Sequence, residues 1–168
     1  METVYWDELR VEHGPILIAW TNHGLCYVGS FVETFEHFHL WQKKYIPGAE
    51  VVRNKGKSEF CNQILQYFNG ERSQFTLPLD LKGTVFQISV WQQLLNIPFG
   101  ETVAYSYIAE KINNPKAVRA VGRAIGQNPL TIVIPCHRVI GKNGTLTGFR
   151  GGLEMKKVLL SLEMSFDL

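Results

Sequence analysis

The sequence predicts an α/β N-terminal half with a small antiparallel sheet and a helix, followed by a mostly helical C-terminal half with a helix-turn-helix. The first third is rich in the apolar, β-branched and aromatic residues that strands favour. Near residue 82 the pattern changes to helical periodicity, and two short helices joined by a tight turn follow. We therefore predict two domains, residues 1–82 and 83–168.

Three segments of the first half have the composition of strands: TVYW, ILIAW and LCYVGSF. The last two flank TNHG, a glycine-containing connection typical of a β-hairpin. SEFCNQILQYFNG predicts a helix, because its apolar residues recur on one face and Gly70 follows as a stop signal. FTLPLDL predicts an extended segment, and ETFEHFHLWQKKY fits either a short helix or a strand edge.

The second half begins with a helix that Thr84 can cap at its N-terminus. The apolar side of this helix consists of Phe86, Val90, Trp91, Leu94 and Leu95. A short helix, SYIAEKI, comes next, and PKAVRAVGRAIGQ predicts another, with Pro115 in its first turn. The spacing of the apolar residues in this last helix predicts a core face made of Val118, Val121 and Ile125.

The same helix has an unusual polar side. Lys116, Arg119 and Arg123 share one face, and alanines lie between them. Small side chains let a helix backbone approach another surface closely, which fits contact with a nucleic-acid backbone or minor groove better than reading of base edges. Packing of the alanines against another helix is the alternative.

Charge is unevenly distributed along the chain. The stretch from Lys111 to Lys157 holds nine of the 17 Lys and Arg residues but only one of the 15 acidic residues, Glu154. Such asymmetry indicates a surface for a polyanion, although a solvated basic face without a ligand would have the same composition. Taken together with the alanine-rich helix, it favours DNA.

The composition argues against several classes of protein. No apolar run approaches the about 20 residues of a membrane helix, and the N-terminus has no secretory stretch. The three cysteines are odd in number and form no CxxC pair, so neither a disulfide framework nor a zinc site is indicated. We expect a cytoplasmic protein without a metal, in which Cys26 and Cys61 are small buried hydrophobic residues.

The segment NPLTIVIPCHRV carries the most chemical information. Residues 130–134 form an apolar run between two prolines and predict a buried strand, after which come Cys136, His137 and Arg138. A thiolate nucleophile needs a nearby base or cation to form. Neighbours in an extended chain point to opposite sides, so His137 would reach the sulfur through a turn or a water molecule. On these residues alone, a structural cysteine is the safer interpretation.

The segment IPCHRV resembles the signature of the O6-alkylguanine-DNA alkyltransferase family. The segments FGETVAYSYIA, NPKAVRAVGRAIGQNP, TGFRGGL and KKVLLSLE resemble other family segments in the same order. The resemblance is strong from Leu77 to Glu163 and holds only in outline before that. It implies an RNase H-like N-terminal domain and a winged helix-turn-helix domain. It also implies direct-reversal repair without a cofactor, in which a monomer acts once on duplex DNA.

In that reaction the resemblance implies that Cys136 takes the alkyl group from O6-alkylguanine, with O4-alkylthymine as a second candidate base. His137 would be the base, acting through a water molecule, and Glu163 would orient it. Tyr105 would donate a hydrogen bond to the leaving guanine. Arg138 would be structural, pairing within the domain.

For DNA binding, the resemblance implies that Arg119 enters the duplex and fills the gap left by a flipped nucleotide. Lys116, Ala120 and Arg123 would contact the DNA on the same helix. Asn128, grouped with these residues, would hold the turn between that helix and the cysteine segment.

The substrate pocket implied by the resemblance is lined by Val139, Thr131, Thr147, Phe149 and Arg150. Four of these depart from common family residues: Phe149 stands where family members often have Tyr, Arg150 where smaller residues are also common, and Thr131 where benzylguanine-sensitive members have Pro. Thr147 likewise replaces a Gly of those members. We expect the backbone N–H of Arg150 to remain able to bind the guanine oxygen.

Two other classes of function compete with this interpretation. A non-enzymatic DNA-binding module would share the basic helix but would have no use for Cys136 in PCHR. A cysteine hydrolase would need a histidine and an Asn or Asp brought in from distant parts of the chain.

Overall fold

The computed structural model describes residues 1–56, 58–146 and 148–165. The chain divides into two compact units, the first formed by residues 1–82 and the second beginning at Gly83. In these described ranges, no helix combines the length and the apolar character needed to cross a membrane.

The first unit contains a four-stranded sheet in the order β3-β2-β1-β4. Its strands are β1 (Thr3–Val11), β2 (Gly14–Thr21), β3 (Gly24–Val28) and β4 (Glu50–Arg53). The first three strands pair antiparallel, as the hairpin signals predict, whereas β4 pairs parallel with β1. The sheet is therefore mixed rather than wholly antiparallel, because a helix connects β3 to β4 and returns the chain in the direction of β1.

Two helices complete this unit, α1 (Phe35–Tyr45) and α2 (Glu59–Phe68). The ambiguous segment around α1 is thus helical, and its Phe38 is buried with Val4 and Tyr27 of the sheet. The predicted α2 starts after Ser58, whose Oγ accepts a hydrogen bond from the Cys61 N–H at 3.1 Å.

The segment after α2 is extended, as the sequence predicts, and it bonds to strand β3. Leu25 N–H donates to the Pro78 carbonyl at 2.9 Å, and Asp80 N–H donates to the Leu25 carbonyl at 2.8 Å. Gly24 makes this approach possible, since a Cβ there would lie 2.4 Å from the Pro78 oxygen.

The second unit is mostly helical and has one pair of very short parallel strands, β5 and β6. Its elements are α3 (Val85–Leu94), β5 (Val103–Ala104), α4 (Tyr105–Lys111), α5 (Val118–Gly126), a 3₁₀ turn (Cys136–Arg138), β6 (Val139–Ile140) and α6 (Leu153–Ser165).

Helix α3 has the N-terminus that the sequence predicts. Thr84 Oγ1 accepts from the Gln87 N–H at 3.1 Å, and Gln87 Oε1 accepts from the Thr84 N–H at 2.9 Å, which is a capping box. Trp91 is buried as predicted, but Leu95 is 42% exposed, because α3 ends at Leu94 and the chain turns there.

Helices α4 and α5 form the helix-turn-helix, with Asn113 in the left-handed conformation at the turn (φ 61°). Two details differ from the sequence prediction. Pro115 lies in the turn before α5 rather than in its first turn, because the helix begins only at Val118. For the same reason Val118 is 36% exposed, whereas Val121 and Ile125 are buried.

Candidate active site and DNA interface

The chain from Asn128 to Cys136, called the acceptor segment below, is buried but is not the strand that the sequence predicts. Its backbone folds into a turn in which Ile134 N–H donates to the Leu130 carbonyl at 2.9 Å. The side chain of Asn128 takes the place of a neighbouring strand: Nδ2 donates to the Ile134 carbonyl, and Oδ1 accepts from the Leu130 N–H, both at 2.9 Å. Ile132 has a φ of 75°, which a strand cannot contain. Apolar composition predicts the burial correctly, but not this conformation.

Cys136 ends the acceptor segment and begins the 3₁₀ turn, and it is only 3% exposed. Burial raises the pKa of its thiol, since a thiolate is poorly solvated there. A hydrogen bond from Asn128 opposes this shift of the pKa, and so do the positive charges of Arg150 and Lys156. Burial therefore disfavours the thiolate of Cys136, whereas these neighbouring groups favour it.

His137 and Glu163 form a buried pair, with His137 Nε2 and Glu163 Oε2 2.5 Å apart. Hydrogen bonds from His137 and Arg138 outweigh burial and hold the pKa of Glu163 far below its usual value, whereas burial lowers the pKa of His137. An ionised carboxylate only accepts hydrogen bonds, so Nε2 carries the proton and Nδ1 the lone pair. Nδ1 is buried and has no partner among the described residues, which leaves it available to accept a proton.

Arg138 holds the same carboxylate from the other side. Its Nε donates to Glu163 Oε1 at 2.8 Å, and its Nη2 donates to Oε2 at 3.0 Å. Its Nη1 donates to the Ile97 carbonyl at 2.6 Å, and the Gly100 N–H donates to Oε1 of Glu163 at 3.2 Å. The carboxylate of Glu163 therefore links the 3₁₀ turn (Cys136–Arg138) to α6 and to the chain that follows α3.

Sequence reasoning missed Lys156, which is fully buried. Its Nζ donates to the Val139 carbonyl at 2.7 Å, and burial lowers its pKa. One signal was present in the sequence: Lys156 is four residues before Leu160, on the apolar side of α6. Lys156 and Arg138 are both buried, so the basic stretch offers a smaller surface to a polyanion than its charge count suggests.

The proposed DNA-contacting residues lie together on α5 and the turn before it. Lys116, Arg119, Ala120 and Arg123 are all exposed. Arg119 and Arg123 line a groove of about 370 Å³ together with residues of α3. Asn128, which we grouped with them, is fully buried and belongs to the acceptor segment instead.

Two contacts fix α5 against α3. The buried Trp91 indole N–H donates to the Ala124 carbonyl at 2.8 Å, and Gln87 Nε2 donates to Gln127 Oε1 at 2.7 Å. The exposed cations of α5 are therefore presented by a helix that is held at its C-terminal turn.

Tyr105 lies at the start of α4, where its ring faces α5: a Cβ on Gly122 would be 3.7 Å from Tyr105 Cδ1. Strand β5, which ends just before Tyr105, pairs with β6, which begins just after the cysteine turn. The structure thus brings the residues flanking Tyr105 and Cys136 together, although 31 positions separate the two in the sequence.

The residues expected to line the pocket differ in burial. Thr131 and Val139 are fully buried, whereas Phe149 and Arg150 are partly exposed in the loop before α6. Thr147 lies outside the described residues. Among the residues described, no cluster of three His, Cys, Asp or Glu side chains could hold a metal ion.

Comparison with known proteins matches both units. The family model of the 6-O-methylguanine DNA methyltransferase ribonuclease-like domain covers residues 4–81, and that of its DNA-binding domain covers residues 85–165. The chain is similar to the inducible methylated-DNA–protein-cysteine methyltransferase of Bacillus subtilis, with 50% identity over 162 residues, 96% of this chain and 90% of that protein.

Solved structures agree with this similarity. The crystal structure of Mycobacterium tuberculosis O6-methylguanine methyltransferase has a TM-score of 0.85 and 39% identity, covering 99% of this chain and 96% of that one. A structure of the M. tuberculosis protein in complex with DNA has a TM-score of 0.82 and 40% identity, covering 96% of this chain and 93% of that one.

The helix-turn-helix unit carries a buried cysteine beside a histidine–glutamate pair and matches a DNA-binding domain, which places the chain among the DNA-binding proteins. Since the two family models together span nearly the whole chain, the chain belongs to the 6-O-methylguanine DNA methyltransferase family.

Proposed function

We propose that the chain repairs DNA by direct reversal, transferring a methyl or larger alkyl group from O6-alkylguanine in duplex DNA to Cys136. The observation that carries this proposal is the buried thiol of Cys136, next in the chain to a histidine whose Nε2 is held by Glu163. A pure DNA-binding module has no need of this arrangement. Family membership gives the reaction class, and the roles of individual residues are those that the family resemblance of the sequence implies.

In the proposed reaction, the alkylated nucleotide leaves the base stack and enters the pocket of Cys136. The thiol proton passes through a water molecule to Nδ1 of His137, the buried nitrogen that carries the lone pair. The sulfur then attacks the alkyl carbon in line, so that an S–C bond forms as the C–O bond breaks. Tyr105 donates a hydrogen bond to the guanine that leaves.

Glu163 orients His137 and remains ionised, because Arg138 holds its carboxylate at both oxygens. The product is a thioether on Cys136. A thioether is a poor leaving group, so each molecule acts once. The DNA supplies the alkyl group, and the reaction needs no cofactor.

The proposed partner is double-stranded DNA that carries an alkylated base, bound by a monomer in the cytoplasm. Arg119 enters the duplex and fills the gap of the flipped nucleotide, while Lys116, Ala120 and Arg123 contact the backbone. O4-alkylthymine is a second candidate substrate, since its O4, like the O6 of guanine, is an exocyclic oxygen of the base that carries the alkyl group.

The proposal is tested by intact mass after incubation with a duplex that contains one O6-methylguanine. The protein should gain one methyl group, which peptide mapping places on Cys136, and the DNA should lose it. Cys136→Ala should bind the duplex but gain nothing. Several methyl groups removed from DNA per protein molecule, or a modification elsewhere, would contradict the proposal.

A further inference from the structure

The two hydrogen bonds that join α3 to α5 leave from the same face of α3 and end on the same face of α5. Their donors, Gln87 and Trp91, are four residues apart on α3, and their acceptors, Gln127 and Ala124, are three residues apart at the end of α5. Residues at these spacings lie above one another on a helix. A single bond would let α5 pivot about it, whereas two bonds at different heights restrict the direction of its axis.

The side chain of Gln87 is held at both ends of its amide. Its Oε1 accepts from the Thr84 N–H at 2.9 Å, and its Nε2 donates to Gln127 Oε1 at 2.7 Å. The capping box fixes this orientation, because a rotated amide would set its NH₂ group against the N–H of Thr84. Gln87 therefore forms a rigid connection between the first turn of α3 and the end of α5.

Gly83 shows how closely this connection is packed. A Cβ at residue 83 would lie 2.6 Å from the ring of Trp91 and 2.9 Å from Oε1 of Gln87. These atoms belong to the two side chains that bond α5, so they occupy the space that a side chain at residue 83 would need. The packing around Gly83 thus adds to the hydrogen bonds in fixing both donors.

The connection lies beside the cations that we assign to DNA. Gln87 and Gln127 line the groove of about 370 Å³ that also contains Arg119 and Arg123. Arg119 is five residues from Ala124, which corresponds to about 7.5 Å along the helix axis. A pivot of about 10° at Ala124 would therefore move the backbone of Arg119 by about 1 Å, a displacement large enough to slow a reaction that depends on position.

We propose that Gln87 and Gln127 are positioning residues for Arg119: their hydrogen bond sets the direction of α5, so that the arginine meets the duplex in the orientation in which it can replace a flipped nucleotide. The inference rests on the proposed role of Arg119 and extends it to two neutral residues. The pair acts on extrusion of the nucleotide and not on the chemistry at Cys136.

The test measures methyl transfer to Cys136 under single-turnover conditions, once with saturating methylated duplex and once with free O6-methylguanine. Gln127→Met keeps the length of the side chain and leaves the capping box of α3 intact, but it removes the acceptor. Gln127→Glu keeps an acceptor for Nε2 of Gln87 and is the conservative variant. Gln92→Met, the same change at an exposed glutamine of α3, is the matched control. Melting temperatures establish that each variant is folded.

Gln127→Met should slow transfer from duplex about two- to tenfold, the range for loss of one hydrogen bond, and should leave the rate with the free base unchanged. Gln127→Glu should keep the wild-type rate at saturating duplex, although its negative charge should weaken binding of the duplex. Gln92→Met should match the wild-type protein on both substrates. An equal loss on both substrates in Gln127→Met, or a Gln127→Glu protein that is as slow as Gln127→Met, would overturn the positioning role.

Combination with Arg119→Ala identifies the residue through which the pair acts. In that background Gln127→Met should cause no further loss, because the arginine that it positions is gone. Losses that multiply would show that the pair acts elsewhere, and they would overturn the proposal.

The wild-type protein separates this inference from the proposed function. If it accepts no methyl group from the duplex, the proposed function fails and the positioning role fails with it. If it accepts the methyl group and Gln127→Met reacts as fast, only the positioning role fails.

Discussion

At the scale of single residues, His137 connects the chemistry of the site to the stability of the fold. Burial lowers its pKa below the ordinary 6.5, so the folded protein keeps it neutral. In the unfolded chain the pKa of His137 returns to about 6.5, so the residue takes up a proton as the pH falls through that value. Stability from this residue is therefore complete above that pH and is lost as the pH falls below it.

We expect the melting temperature of the wild-type protein to decrease as the pH is lowered from about 7 to about 5, above the range where carboxylates titrate. His137→Gln should be less stable at neutral pH but should depend less on pH in this window, because it cannot bind the proton. His23→Gln, in an exposed turn, should keep the wild-type dependence. Equal slopes for all three proteins would show that His137 is not kept neutral by the fold.

Thr131 leads to a prediction about free pseudosubstrates. It is fully buried in the acceptor segment, at the position where the family resemblance of the sequence implies Pro in benzylguanine-sensitive members. A threonine offers a smaller apolar surface to a benzyl ring, at a cost of about 0.8 kcal/mol for each methylene group that is no longer buried. We expect free O6-benzylguanine to inactivate the protein slowly, while methylated duplex is repaired.

The measurement is residual repair after preincubation with a concentration series of the benzyl compound. Thr131→Pro should become more sensitive. Inactivation of the wild-type protein as rapid as its reaction with DNA would show that Thr131 does not shape the pocket in this way.

The sequence predicts the identity of the site residues better than it predicts their burial and their hydrogen-bond partners. Cys136 and His137 stand in a short motif, and the family resemblance that this motif carries is confirmed by the matching family models. A charge count does not show that Lys156 and Arg138 are buried, because it assumes that cations face solvent; the resemblance implies the pairing of Arg138, and only its position on the apolar side of α6 indicates the burial of Lys156. Their partners, a backbone carbonyl and the carboxylate of Glu163, come from other elements, and only the folded chain brings them together.

At the scale of elements, α5 is exposed along the side that carries Arg119 and Arg123 and buried along the side that carries Val121 and Ile125. This division matches the sequence pattern, because helical periodicity fixes which residues share a face. The sequence pattern places the start of α5 too early, at Pro115, since a proline suits a preceding turn as well as a first helical turn.

Arg119→Ala should slow repair in duplex DNA and have little effect on the reaction with free O6-methylguanine, because the role we propose for this arginine is in the duplex and not on the base. Arg123→Ala, one turn further along α5, should weaken DNA binding without this selective loss of repair. Rates for both substrates, measured under single-turnover conditions, distinguish the two residues. Equal loss of rate on both substrates would mean that Arg119 is structural.

The acceptor segment shows why one element could not be predicted. Four apolar residues and one β-branched threonine between two prolines favour a strand on composition alone. The segment forms a turn instead, because the side chain of Asn128 hydrogen-bonds the backbone groups that a neighbouring strand would otherwise bind. Sequence periodicity carries no information about such a side-chain bond.

At the scale of the whole molecule, the small net charge of +2 conceals a basic surface in the second unit. Binding to undamaged duplex should be nearly independent of sequence and should weaken with salt, because the contacts that we propose are mainly with phosphates. Replacing Lys116 with Ala should reduce the slope of log K against log salt by about 0.9, the value for one phosphate contact.

Lys55→Ala, in the first unit, is the control and should leave the slope unchanged. Fluorescence anisotropy across a salt series gives all the slopes. Salt-independent affinity, or strong preference for one undamaged sequence, would favour a regulator over a repair protein.

Cys136 is only 3% exposed, and this burial also affects how long its thiol remains unmodified before the protein meets damaged DNA. Peroxides and adventitious electrophiles consume thiols that are ionised and accessible. In a protein that acts once, each such loss removes a molecule that only new synthesis replaces. Because it is buried, the thiol of an unreacted molecule is protected from these reagents until the protein meets damaged DNA.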